Sequence, residues 1–317
     1  MKKVLTTGAT GFIGSMVVCQ LEAEGYQVIA PVRNAELCGS IALETPVVGN
    51  VDGETDWGRV LPGVDVVVHC AARAHIMADR ASDPLAEFRK VNVDGTLRLA
   101  RQAAEEGVHR FIFISSVKVN GELSSEQAPF YPNDAPAPED AYGISKWEAE
   151  QGLKTIARET GMEVVIVRPP LVYGPGVKGN FASMVKLVRK GVPLPLGSIH
   201  NKRSLVAVDN LVDLIVTCID HPAAANQVFM VSDGQDVSTS ELLRELGKAM
   251  GKSARLVPVP AGVLMLGATV LGKRAVAHRV LGSLQVDISD AKALLGWEPP
   301  VSMQEGLRRC FTTENGF

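Results

Sequence analysis

The sequence has five cysteines, Cys19, Cys38, Cys70, Cys218 and Cys310, but no Cys-x-x-Cys pair and no even-numbered framework. That absence excludes a disulfide scaffold, and the thiols read as reduced packing residues of a cytosolic protein with no bound metal. Charge of one sign is missing as well. A net charge of -3 gives no basic surface for nucleic acid or for an anionic membrane, so any anion bound here must meet a local site. Long apolar runs are also missing. The longest tract, 256–272, is broken by Pro258, Pro260, Gly262 and Gly267, so it reads as a buried helix with no stable membrane insertion. Lys2 and Lys3 are followed by Thr6, Thr7 and Gly8 rather than by a signal-peptide core, and the first segment is expected to stay and fold. No internal repeat or low-complexity segment interrupts an ordinary globular composition, 46% hydrophobic and 21% charged. The 317 residues suffice for a nucleotide domain with a smaller partner.

What is present begins at the N-terminus. Val4-Leu5 runs into Thr6-Thr7-Gly8-Ala9-Thr10-Gly11-Phe12-Ile13-Gly14, a pattern for strand, tight turn and helix start. Gly8 supplies a positive φ, Gly11 allows a pyrophosphate to approach backbone, and Gly14 lets helix and strand pack closely. The amides around Thr10, Phe12 and Ile13 then face the phosphates. This predicts a Rossmann-type, doubly wound parallel α/β sheet binding a dinucleotide.

The second strand, 26–32, ends without the Asp or Glu that would bind the ribose hydroxyls of NAD. Val32-Arg33-Asn34 stands there instead, and Arg33 suits a 2′-phosphate, so NADP(H) is favoured with NAD(H) as the alternative. Residues 47–52, with Asn50 and Val51, read as a third strand ending near the adenine, and 64–69 as a fourth. Cys70-Ala71-Ala72 is small enough for the cofactor to lie across Ala71 and Ala72. His69 reads as a packing histidine. A helix over 86–106 contains Asn92, which can tie neighbouring backbone together beside the cofactor.

Phe111-Ile112-Phe113-Ile114 is an apolar strand ending at Ser115-Ser116, on the sheet edge where ligands bind in open α/β folds. The loop 121–140 is long and reads as a lid over the substrate. It leads to Tyr142 and Lys146, four apart on one helix face. A neighbouring ammonium is expected to favour the anionic phenol, for proton exchange with a hydroxyl or carbonyl, while Ser116 holds the same oxygen. The dinucleotide-binding domain is placed at 1–169, with a return segment at about 204–222, and the smaller α/β substrate domain at 170–317.

Together, Thr7 to Gly14, His69-Cys70-Ala71-Ala72, Asn92-Val93-Asp94-Gly95-Thr96, Ser115-Ser116 and Tyr142-x-x-x-Lys146 resemble the extended short-chain dehydrogenase/reductases over nearly the whole chain. The likeness is greatest to the bacterial nucleotide-sugar epimerase/dehydratase group. It implies that Ser116, Tyr142 and Lys146 are catalytic, that Lys146 also binds the nicotinamide ribose, that a UDP-sugar is the substrate, and that the chain forms a homodimer. It further implies Asn180, beside Phe181, and Arg203 as diphosphate contacts, with Arg279 as a second phosphate-binding arginine. Leu171 departs from the group, standing where relatives often carry an asparagine.

Three reactions compete. A 4,6-dehydratase needs an Asp-Glu pair after the catalytic hydroxyl, and Val117-Lys118 follows Ser116 instead. A 4-epimerase usually retains NAD through the carboxylate this chain lacks. Ser116 to Gly121 and Gly176 to Phe181 resemble O-antigen reductases that convert a UDP-4-keto-6-deoxy-N-acetylhexosamine to UDP-N-acetylquinovosamine. The sequence therefore favours the reductase, with the epimerase as the alternative.

Overall fold

The computed structural model describes residues 1–37, 44–74, 83–125 and 128–312; Cys38 and residues 126–127 of the expected lid lie outside them. In chain order come β1 (Lys3–Thr7), α1 (Phe12–Ala23), β2 (Gln27–Ile29), β3 (Val66–His69), α2 (Pro84–Arg89), a π-helical turn (Lys90–Gly95), α3 (Thr96–Glu105) and β4 (Arg110–Ile114). They are followed by α4 (Ala141–Thr160), β5 (Glu163–Arg168), β6 (Leu171–Tyr173), α5 (Asn180–Lys190), β7 (Leu205–Ala207), α6 (Val208–Asp220) and β8 (Val228–Met230). Helices α7 (Thr239–Ala249), α8 (Ala261–Val270), α9 (Arg274–Leu281), α10 (Ser289–Leu295) and α11 (Met303–Arg309) complete the chain.

Six parallel strands form one sheet in the order β2-β1-β3-β4-β5-β8, while β6 and β7 pair separately. Strands such as Val66-Val67-Val68 and Phe111-Ile112-Phe113 are apolar on both sides because both faces of the sheet are covered. On one face Val4, Val68 and Ile112 pack with Val17, Leu21, Leu211 and Ile215 of α1 and α6. On the other, Leu5, Val67, Phe111 and Phe113 meet Leu99 and Ala103 of α3 and Leu153 and Ile156 of α4. The strand order reverses between β1 and β3, which puts the glycine turn at the switch point where such folds bind ligands. A third core, built on Tyr173, Phe181, Val185, Leu243 and Leu307, lies under the C-terminal elements.

Three expectations are corrected. Residues 47–52 make no strand: Val47 forms an isolated bridge with Val32, and pairing stops there, since Pro46 lacks a donor and Gly49 turns at φ +78°. The 86–106 helix is interrupted by the π turn, which rotates Asn92 into the interior. The 256–272 tract does contain a helix, but no residue of α8 is buried. Apolar on every side, α8 has no polar face to say which way it should turn. Beyond the expected return segment, β8 adds a sixth strand to the sheet.

Candidate active site

The turn between β1 and α1 is held by backbone contact. A Cβ on Gly8, which sits at φ +70°, would lie 2.7 Å from the Ala71 nitrogen, and one on Gly14 would lie 2.2 Å from the Gly8 carbonyl oxygen. Thr7 Oγ1 accepts the Ala71 N–H at 3.2 Å and meets His69 Nδ1 at 2.7 Å, so the small 70–72 loop is fastened against the glycine turn. Among the described residues no side chain caps α1, and Thr10 and Gly11 are exposed at its start. An uncapped helix start beside a loop of small residues fits a dinucleotide pyrophosphate. His69 bonds Thr96 through Nε2 at 3.0 Å and is fully buried; burial, then the Lys146 charge, holds its pKa down to about 3. It is a neutral packing residue.

Asn92 spends its amide on protein. Its Oδ1 accepts the Arg73 N–H at 2.8 Å, and Nδ2 donates to the Arg73 carbonyl and to Ser145 Oγ at 3.0 Å. It thereby ties the loop after β3 to the π turn and α4. Arg33 and Asn50 are exposed and Val51 half-buried on the rim beyond β2.

The catalytic candidates meet between the end of β4 and the first turns of α4. Asp140 caps α4 by accepting the Gly143 N–H at 2.7 Å, which sets the helix phase and turns Tyr142 and Lys146 to one side. Ser116, whose Oγ accepts the Lys118 N–H at 3.2 Å, stands beside the Tyr142 phenol and favours its anionic form. Lys146 is buried; its Nζ donates to the Ile114 carbonyl at 2.7 Å and sits 4.4 Å from the Phe113 ring centroid and 6.0 Å from that of Tyr142. Burial lowers the Lys146 pKa to about 8, against the opposing pull of Cys70 and Glu150. The phenol departs from expectation. Burial first, and Asp140 second, raise the Tyr142 pKa well above the ordinary tyrosine range, and Ser116 only partly opposes them. Desolvation and the Asp140 charge both favour the neutral phenol, and the Lys146 ammonium does not offset them.

Behind the centre lies a network that the sequence reading missed. Glu150, fully buried on α4, receives two hydrogen bonds from Arg168 at 2.9 and 2.5 Å and one from Ser115 Oγ at 2.5 Å. Arg168 also donates to Asn120 Oδ1 and to the Pro132 carbonyl, both at 3.0 Å. The signal was available: Tyr142, Lys146 and Glu150 repeat every four residues, and Arg168 follows the apolar run Val164 to Val167.

On the substrate side the candidates separate. Asn180 is exposed in the first turn of α5, whereas Phe181 is fully buried and stacks on Tyr173 at 5.4 Å between centroids. The Phe181 side chain is thus the apolar anchor of α5 on the third core, and only its backbone is free to face a substrate. Arg203 donates to the carbonyls of Arg279 and Gly282 at 2.7 and 3.1 Å. Burial lowers its pKa, with Glu122 opposing. Arg279 is exposed, its Nε 3.9 Å from Glu122, and Glu122 also takes Lys118 Nζ at 2.6 Å. Lys118 further pairs with Asp140 at 2.5 Å. The loop carrying Glu122 is fastened to the C-terminal half, Phe130 donating to the Gln285 carbonyl at 2.8 Å and Asp287 to the Phe130 carbonyl at 2.9 Å. Leu171 is half-buried and pairs with Leu205.

Residues 4–232 match the model of the NAD dependent epimerase/dehydratase family. The chain belongs to that family. Within the epimerase/dehydratases it is 53% identical to a UDP-glucose 4-epimerase of Vibrio cholerae over 97% of this chain and 94% of that one. A UDP-glucose 4-epimerase of Thermotoga maritima, solved with UDP-glucose, superposes with a TM-score of 0.75 at 28% identity, covering 97% of each chain. A UDP-glucuronic acid 4-epimerase of Bacillus cereus, solved with NAD, shares the fold at a TM-score of 0.76 and 23% identity, covering 97% of this chain and 96% of that one. The chain is thus an extended short-chain dehydrogenase/reductase of the nucleotide-sugar epimerase/dehydratase kind.

Proposed function

We propose that this chain inverts C4 of a UDP-hexose such as UDP-glucose or UDP-N-acetylglucosamine, with NAD retained at the β1–α1 turn. The observation that carries the reading is a tyrosine one helical turn from a buried lysine, in a chain 53% identical to a UDP-glucose 4-epimerase. NAD, when bound, supplies the hydride chemistry. This chain's residues do the rest. Tyr142 moves the proton at O4 of the sugar, Ser116 holds that oxygen, and Lys146 binds the nicotinamide ribose. Arg203, Asn180 and Arg279 hold the diphosphate, and the two copies of a homodimer each carry a complete site.

A reductase acting on a UDP-4-keto-6-deoxy-N-acetylhexosamine, forming UDP-N-acetylquinovosamine for a surface polysaccharide in the cytoplasm, is the second reading. One observation favours it: exposed Arg33 stands where a carboxylate would favour NAD. The sequence favoured this reaction, and the 53% identical relative moves the weight to the epimerase. Purification separates them. Protein that carries NAD and interconverts UDP-glucose and UDP-galactose without added cofactor is the epimerase. Protein that arrives without cofactor and consumes NADPH only with the keto-sugar is the reductase, and Arg33→Ala then weakens NADPH but not NADH.

A further inference from the structure

Helix α8 is a surface element with the composition of an interior one. Its sequence, Ala-Gly-Val-Leu-Met-Leu-Gly-Ala-Thr-Val, holds no charged residue, and none of its ten residues is buried. Val263, Leu266 and Val270 fall at i, i+3 and i+7 on its outer face and are 59%, 68% and 80% exposed. Leu271, at 73%, and Val276 of α9, at 57%, extend the patch. Three large aliphatic residues in register on one exposed stripe are more than the scattered singles that protein surfaces ordinarily carry.

The charges around the patch say what covers it. From Gly251 to Val286 the chain has no Asp or Glu, but it has Lys252, Arg255, Lys273, Arg274 and Arg279. Lys273 and Arg274 are exposed directly after α8, and among the described residues neither pairs with a carboxylate. Arg279 has Glu122 at 3.9 Å, and that carboxylate is already held by Lys118. A second copy is a poor occupant, because a two-fold contact sets the same patch against itself and brings cation onto cation. An anionic surface with an apolar layer beneath it satisfies both features.

We propose that the α8–α9 face docks on an anionic lipid bilayer. Helix α8 lies in the headgroup plane, with Val263, Leu266 and Val270 at the acyl boundary and Lys273 and Arg274 on the lipid phosphates. The contact is peripheral: α8 is about 15 Å long, half the thickness of a hydrocarbon core, and no helix among the described residues is long and apolar enough to cross a membrane. The net charge of -3 conceals this local patch. Because Arg203 bonds the carbonyl of Arg279 in the last turn of α9, docking sets the bilayer beside the phosphate-binding arginines.

Sedimentation with vesicles tests the proposal independently of any catalytic reading. Wild-type protein is expected to sediment with phosphatidylethanolamine vesicles containing about one third phosphatidylglycerol, and not with pure phosphatidylcholine. Leu266→Glu/Val270→Glu abolishes sedimentation with circular dichroism and thermal melting unchanged, since both side chains are already in water. Lys273→Gln weakens binding about fivefold, more at low salt than at high. Failure of wild type to sediment with the phosphatidylglycerol vesicles overturns the proposal, as does sedimentation that the double substitution leaves intact. A wild-type dimer that ignores vesicles and is split by the double substitution also overturns it, giving the face to a second copy.

Discussion

The proposed reaction centre and the proposed substrate rim are built in opposite ways. Tyr142, Lys146 and Glu150 stand on a single helix, packed against the ends of β4 and β5 and locked by a buried ion pair. Arg203, Arg279 and Asn180 come from three separate segments, and the two arginines engage carbonyls and a half-open carboxylate. A centre that must place a proton donor to within a fraction of an ångström is set on a rigid element. A rim that must admit and release a charged molecule keeps its cations partly in water, where exchanging one oxygen partner for another costs little.

The largest effect expected from breaking this contrast is on the chemical step. Tyr142→Phe should keep the fold and the Phe88 ring contact at 6.0 Å but lower kcat by about 10³-fold or more, with KM nearly unchanged, because it removes the proton donor alone. Steady-state assays with each candidate sugar check it. If kcat survives, the tyrosine is not the acid-base group. Next in size is the ion pair. Arg168→Met leaves the Glu150 carboxylate buried without its partner and should destabilise the protein by about 3–5 kcal/mol in urea titrations. Removing both charges, Arg168→Met with Glu150→Leu, should recover most of that loss.

The third test uses pH. Lys146 has its pKa lowered from 10.5 to about 8 in the fold, so between those values the unfolded chain binds the extra proton and stability on this account rises with pH. The gain is about 3 kcal/mol across the window, and the whole penalty is present below pH 8. Subtracting the stability curve of Lys146→Met from that of wild type isolates it from the alkaline titration of tyrosines and cysteines. A flat difference curve between pH 8 and 10.5 would mean that the ammonium is not desolvated.

How far each region could be read from the sequence follows the same division. The glycine turn, the Ser115-Ser116 strand end and the Tyr142 to Lys146 spacing are local patterns, and local geometry alone makes them meaningful. Residues 47–52 misled because alternating valines look like a strand, whereas pairing also needs donors that Pro46 and the turn at Gly49 withhold. The inward direction of Phe181 was not legible, because a motif names a stretch and not the direction of each side chain. The phenol's high pKa was invisible for a further reason: desolvation depends on everything packed around a group, and spacing along a helix reports only its neighbours on that helix.

The smallest expected effect belongs to the rim and gives the contrast its sharpest form. The Arg203 guanidinium donates to two carbonyls at the end of α9, so Arg203→Ala leaves acceptors that water can reach, and the fold should lose little, about 1 kcal/mol. The same substitution removes the proposed charge-assisted contact to the substrate diphosphate, worth about 1.5–3 kcal/mol, and should raise KM for a UDP-sugar about 10- to 100-fold while kcat changes far less. A residue of the reaction centre shows the reverse split, kcat falling and KM standing. If Arg203→Ala instead lowers kcat at saturating sugar, the arginine positions the reacting carbon, and rim and centre form one unit.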